Sequence, residues 1–215
     1  MNNEPIKAII DTDFFNKITL APNIADGKDL FIRTMNEFNI QPVVHYYVAE
    51  REMTVQNGIA KELLDSGYLE VYHKENIVKS EEDEQLYESY FRKWYNYLNV
   101  DKPRLEKDVD VFKLLRANHS LGEIHSTLLA YFTKMNMIMS DDSDAADLVS
   151  YAGLLDVKVL NLVDVYSIIG AKSIKSITIN EVECVIRSEN PKDTIKEKKR
   201  KKQKFKKVKD IWIPT

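Results

Sequence analysis

Short apolar runs rich in β-branched residues, alternating with helical patterning, constrain this chain more than any other feature. Lys7–Asp11 (KAIID) reads as a buried strand ending in an acid, and Pro42–His45, Tyr68–His73, Asn136–Met139 and Val157–Leu162 read as four more. Apolar residues at helical spacing mark Asp29–Phe38, Tyr47–Gln56, Ile59–Leu64, Leu121–Lys134 and Ala145–Ala152 between them, and Asp164–Gly170 and Asn180–Arg187 after the last strand. Such alternation predicts a parallel sheet covered on both faces, a three-layer α/β/α domain. About 45 residues without a strand signal interrupt it. They predict a helical insertion near 74–118, with helices at Glu82–Asn99 and Val109–Asn118. The expected organisation is one domain over 1–190 and a flexible basic tail over 191–215.

In open parallel sheets, ligands bind beyond the carboxyl ends of the strands, where strand order reverses. The residues following each strand are therefore the ones to inspect. Asp11 and Asp13 follow the first strand, Glu50 and Glu52 the second, and Asp141, Asp142 and Asp144 the fourth, while Glu123 opens the helix leading into that fourth strand. Gathered carboxylates repel one another, and burial makes each ionised form costlier, so a fold that collects them normally neutralises them with a cation. A donor set of oxygens, without His or Cys, suits Mg²⁺ or Mn²⁺ rather than Zn²⁺. Such an ion orients a water for attack on a phosphate, which makes phosphodiester hydrolysis the reaction class that the pattern suggests. Each acid also has a plain structural use. Ser120 and Glu123 fit the S-x-x-E capping box, Asp142 or Ser143 caps the following helix, and Asp11 and Asp13 close a turn. The acids nevertheless outnumber the helix ends they could serve.

Charge is distributed unevenly. Of 31 basic residues, 11 fall between Lys192 and Lys209, together with only two of the 34 acidic ones; the other residues carry a net charge of −12. Lys198, Lys199, Arg200, Lys201, Lys202 and Lys204 are the expected phosphate contacts of such a block, with Phe205 as a stacking surface and Trp212 and Ile213 as a docking group. In the insertion, Tyr90, Trp94, Tyr97 and Leu98 follow helical spacing and read first as a packing stripe, secondly as a lid or partner surface. His125, two residues past Glu123, is expected on another helix face. A single cysteine, Cys184, excludes an internal disulfide and reads as a small buried hydrophobe. No apolar run approaches the ~20 residues of a membrane span, and the opening MNNEPIKAIIDTDFF lacks a secretory pattern, so the expected location is cytoplasmic.

Three segments together resemble the PIN-domain nucleases, a family that includes the toxin ribonucleases of toxin–antitoxin pairs. IIDTDFF (9–15) is similar to the family's opening strand, SLGEIHSTLLAYFTKMNMIMSDDSDA (120–145) to its helix–strand–acid block, and 157–187 to its closing strand and helices. Residues 41–52 resemble its second strand and the turn beyond it. The resemblance implies a Mg²⁺- or Mn²⁺-dependent endoribonuclease. It implies Asp11, Glu123 and Asp142 as the catalytic and metal-binding acids, completed by Asp141, Asp144 and Glu50, with Glu52 as the alternative to Glu50. RNA is the implied partner, with DNA as an alternative substrate, and an antitoxin protein and a second copy of the chain are further candidates. A PIN-like protein that binds RNA without cutting it is the competing expectation. Residues 74–108 and the tail beyond 190 have no counterpart in the family pattern.

Overall fold

The computed structural model describes residues 4–106, 108–114, 120–172, 176–188 and 193–212. In chain order the elements are β1 (Ile6–Ile10), α1 (Thr12–Thr19), α2 (Gly27–Asn36), β2 (Ile40–His45) and α3 (Tyr46–Val48). A π-helical turn (Ala49–Met53) runs on into α4 (Thr54–Gln56) and α5 (Gly58–Asp65), followed by β3 (Glu70–Tyr72), α6 (Lys74–Ile77) and α7 (Glu81–Leu98). Then come α8 (Leu121–Thr133), β4 (Met137–Met139), α9 (Ser143–Tyr151), β5 (Lys158–Leu160), α10 (Leu162–Ala171), α11 (Ile179–Ile186) and α12 (Ile195–Ile211).

All five strands pair in parallel, in the order β3-β2-β1-β4-β5. Sequence alternation therefore read the α/β class and the parallel sheet correctly. β1 is central and fully apolar where it is buried (Ala8, Ile9, Ile10), as a strand covered on both faces must be. α1, α2, α10, α11 and α12 form one connected group of helices, and α7, α8 and α9 another. Right-handed crossovers put these groups on opposite faces, because the chain moves outward from β1 to β3 and then crosses back to β4. That jump makes the gap between β1 and β4 the switch point of the sheet.

Three regions differ from the sequence reading. Residues 12–19 form a helix instead of a turn, since Phe14, Phe15 and Ile18 bury one face of it against the core. The helix expected over 109–118 is absent from 109–114, which form a turn and irregular backbone; 115–118 lie outside the described residues. The tail expected to be flexible is instead the 17-residue helix α12, capped at its start by Thr194 and Glu197. Its composition hides a narrow apolar stripe. Phe205 and Val208 are buried, and Trp212 follows one turn later, so closely set on Gly170 that a Cβ there would lie 2.6 Å from the indole ring. Phe205 is thus an anchor and offers no face for base stacking. Ile213 lies outside the described residues. Cys184 is half-buried rather than fully buried.

The insertion is fastened to the domain by a buried polar chain. α7 sinks Tyr87, Phe91, Trp94 and Tyr95 against the domain, while Tyr97 stays partly exposed, stacked on Tyr151 at 3.8 Å. The Tyr87 hydroxyl lies 2.6 Å from His125 Nδ1 on α8 and 3.1 Å from His45 Nε2 at the end of β2. His45 Nδ1 accepts the Tyr47 amide at 3.1 Å, so a neutral His45 carries its proton on Nε2. That proton is donated to the Tyr87 oxygen, the Tyr87 hydroxyl is donated to His125 Nδ1, and His125 is left with an Nε2–H. This Nε2–H is buried and has no hydrogen-bond partner among the described residues. Burial lowers the His125 pKa to about 3 and holds His45 well below its usual range, consistent with two neutral rings. His125 faces the core, away from the acids, as its offset from Glu123 predicted.

Candidate functional site

The backbone brings four acids from four segments to the switch point. Asp11 follows β1, Glu52 rides the π-helical turn after β2, Glu123 sits in the first turn of α8, and Asp142 follows β4. Asp11 is only 3% exposed. It occupies the N-cap position of α1 but makes no side-chain capping bond there; one carboxylate oxygen accepts the Ser140 hydroxyl at 2.9 Å instead. Burial pushes its pKa up to about 7, and the charges of Glu52 and Asp13 push in the same direction. Glu123 is raised to about 8, first by burial and then by Asp11, with Glu52 and Asp142 adding to it. Burial first, and the neighbouring carboxylates after it, thus push two carboxyls at the centre of the group well above the usual carboxylate range.

The plain readings of these acids separate here. The capping box at α8 does not form: Ser120 has a left-handed backbone (φ 52°) and no side-chain cap bond, and its hydroxyl donates to Asp144 at 3.1 Å. Glu123 is thus freed from the role that its spacing suggested. Asp142 does cap α9, accepting the Asp144 amide at 3.0 Å through Oδ1. The cap engages one of its two oxygens.

Glu52, not Glu50, joins the group. Residues two apart on a helix point to different faces, so only one of the pair can turn inward. Glu52 Oε2 accepts the Thr12 hydroxyl at 2.9 Å, and Gly122 lies so close that a Cβ there would stand 2.8 Å from the same oxygen. Glycine at 122 is what lets α8 approach this carboxylate. Glu50 is exposed, and its carboxylate contributes to raising Tyr46 instead of Asp11 or Glu123. The π-turn, which adds a residue to the helical repeat, is a local departure that spacing rules do not anticipate.

Asp141 is also turned away from the group. It accepts from Lys17 Nζ at 2.7 Å and from Lys204 Nζ at 3.3 Å, and its side chain is 7% exposed. Burial alone would raise its pKa, but the two lysines outweigh burial and hold it below the usual range. Lys17 also pairs with Asp13 at 2.6 Å. Asp144 is held by Ser120 beside the start of α8. Thr12, Lys17, Ser140 and Gly122 went unremarked in the sequence; the first and third adjoin strand-end acids, which is the one signal that points to them.

As the side chains stand, no group of three or more Asp, Glu, His or Cys among the described residues is arranged to hold a metal ion. An oxygen-only donor set of this kind would suit a hard cation, and burial followed by mutual repulsion raises two of its carboxyls above the usual range. Mg²⁺ usually binds directly to one or two carboxylates and keeps several waters, so the remaining acids would act through those waters.

The basic residues of α12 divide between two faces. Lys201 and Lys204 point inward, Lys201 to the Ser188 carbonyl and Asp193, and Lys204 to Asp141. Lys199, Arg200 and Lys202 are exposed, and Lys198 is partly so. No helix among the described residues is long and apolar enough to cross a membrane. No protein-family model, curated protein or solved structure matches the chain.

Proposed function

We propose that this chain is a divalent-metal-dependent nuclease that hydrolyses phosphodiester bonds, with RNA as its substrate, and that it belongs to the PIN-like enzymes that its sequence resembles. The observation that carries the reading is the convergence of Asp11, Glu52, Glu123 and Asp142 at the switch point, with Asp11 and Glu123 pushed far above the usual carboxylate range. These four residues would hold Mg²⁺ or Mn²⁺. When bound, such an ion supplies an activated water and offsets charge on the phosphate under attack.

The chain's own groups orient that site. The Ser140 hydroxyl and the Thr12 amide hold the Asp11 carboxylate in place. Thr12 and the bare face of Gly122 fix Glu52. The neighbouring Lys17 and Lys204 offer positive charge to the substrate's backbone, in exchange for their present bonds to Asp141. Incubating the protein with end-labelled single-stranded RNA tests the reading. Cleavage should appear with Mg²⁺ or Mn²⁺ and vanish with chelator and in Asp11→Asn; cleavage that survives either would overturn it.

A protein that binds RNA without cutting is the second reading, favoured by the absence, among the described residues, of three acids placed to hold an ion as they stand. It predicts binding without turnover, lost when exposed Lys199 and Lys202 are both changed to Gln. Removing the whole tail would not distinguish the two, because Phe205 and Val208 belong to the core.

A further inference from the structure

Ile195–Ile211, the length of α12, carries ten basic and two acidic residues. Like charges three and four residues apart on a helix repel, so this segment depends on its docking to stay helical. Phe205 and Val208 anchor it, and on the same side Lys201 pairs with Asp193 and Lys204 with Asp141. Lys199, Lys202, Lys206 and Lys209 lie on the opposite side, at i, i+3, i+7 and i+10, and so form one stripe. All four are exposed, and none makes an ion pair among the described residues. The two acids of the helix sit at its ends, Glu197 bonded to Thr194 in the cap and Asp210 in the last turn.

At 1.5 Å per residue the stripe runs for ~15 Å, with its lysines about one helical turn apart, ~5 Å. That is close to the separation of successive phosphates along a nucleic-acid strand. Outside Lys192–Lys209 the chain carries a net charge of −12, so a polyanion is drawn to α12 rather than to the rest of the surface. We propose that the outward stripe of α12 is a second nucleic-acid site, which grips the backbone of the substrate RNA away from the bond to be cut. Naming RNA as the strand rests on the nuclease reading. Lys204, on the inner side, reaches Asp141, the neighbour of Asp142 in the acid group, so the stripe and the acids lie on either side of a helix ~10–12 Å across. A strand that is long enough passes around α12 and engages both. Contacts to phosphates carry no base information, so the stripe adds affinity and reach without sequence selectivity.

Fluorescence anisotropy of the full chain with a labelled oligouridylate of about 20 nucleotides tests the proposal apart from catalysis, in excess chelator so that nothing is cut. Changing Lys199, Lys202, Lys206 and Lys209 together to Gln keeps the helix propensity, so the variant should melt as the parent does. It should bind at least tenfold more weakly and flatten the slope of log affinity against log salt by about 3, at ~0.7 per contact. Lys61→Gln with Lys158→Gln, exposed lysines outside α12, should do neither. In Mn²⁺ the fourfold variant should raise KM for the long RNA at least tenfold with kcat unchanged. Its cleavage of triuridylate, too short to span the helix, should match the parent's. Equal binding by parent and variant, an equal loss in the Lys61 and Lys158 control, or a fall in kcat with KM kept would overturn the proposal even if the protein cuts RNA. A salt-sensitive dimer that the four substitutions dissolve, with no RNA bound, would assign the stripe to a second copy of the chain and overturn it as well. RNA binding that follows the expected pattern in a protein that never cuts would instead overturn the nuclease reading and leave the stripe standing.

Discussion

Replacing Tyr87 by Phe tests how the insertion is fastened to the domain. The ring is fully buried and packs on Phe112 at 4.6 Å and Phe132 at 5.5 Å, contacts that Phe would keep. Only the hydroxyl is lost, and with it the bonds to His45 Nε2 and His125 Nδ1. Both nitrogens would then be buried without partners, at a cost of ~1–3 kcal/mol each. Sparing the buried hydroxyl its own desolvation returns part of this, so a net loss of ~2–4 kcal/mol is expected. For a chain of this size, that lowers the melting temperature by roughly 2–4 °C per kcal/mol, or about 4–16 °C. Urea unfolding followed by circular dichroism measures the loss directly. A change below ~1 kcal/mol would refute the forced tautomers and the role of Tyr87 as a bridge.

Gly122→Ala should leave stability unchanged or slightly raised, because Ala is the better helix former by ~1 kcal/mol and the group it meets is the movable end of Glu52. Mn²⁺ affinity should nevertheless fall severalfold, since Glu52 must swing aside; paired unfolding and calorimetric titrations check both halves. Glu52→Gln should weaken Mn²⁺ binding and cleavage at least tenfold, and Glu50→Gln should change neither; the reverse ranking would show that the second-strand acid has been misassigned. His125 has its pKa depressed to about 3, so the stability that comes from its neutral ring is complete above pH ~6.5 and is lost as pH falls below it, at up to ~1.4 kcal/mol per pH unit. Ring NMR should find His125 neutral at pH 5, and titration near 6.5 would contradict the buried network.

The sheet was legible in the sequence because its central strands are buried and spell short apolar runs, and the acids were legible because they follow those runs. What escaped had local causes. Glu50 and Glu52 are equivalent by spacing, and only a π-turn together with Thr12 and Gly122 decides between them. Asp141 and Asp142 are adjacent, yet Lys17 and Lys204, from opposite ends of the chain, draw Asp141 out of the group. The charge of α12 hid the packing role of Phe205 and Val208, which sit among lysines, whereas Trp212, expected to dock, does lie against Gly170. Ser120 and Glu123 carry a capping signature that the left-handed backbone at Ser120 prevents from forming.

The central claim is that the switch-point acids hold a divalent cation, and direct Mn²⁺ binding to the intact chain tests it most closely. Because Asp11 and Glu123 must give up protons to bind an ion, affinity should rise as pH is raised from 6 to 8, through the values near 7 and 8 to which they are shifted. Titration followed by electron paramagnetic resonance should show saturable binding that strengthens over this range and is lost in Asp11→Asn and Glu123→Gln. Binding that ignores pH and survives both substitutions, or no binding at all at pH 8, would contradict it.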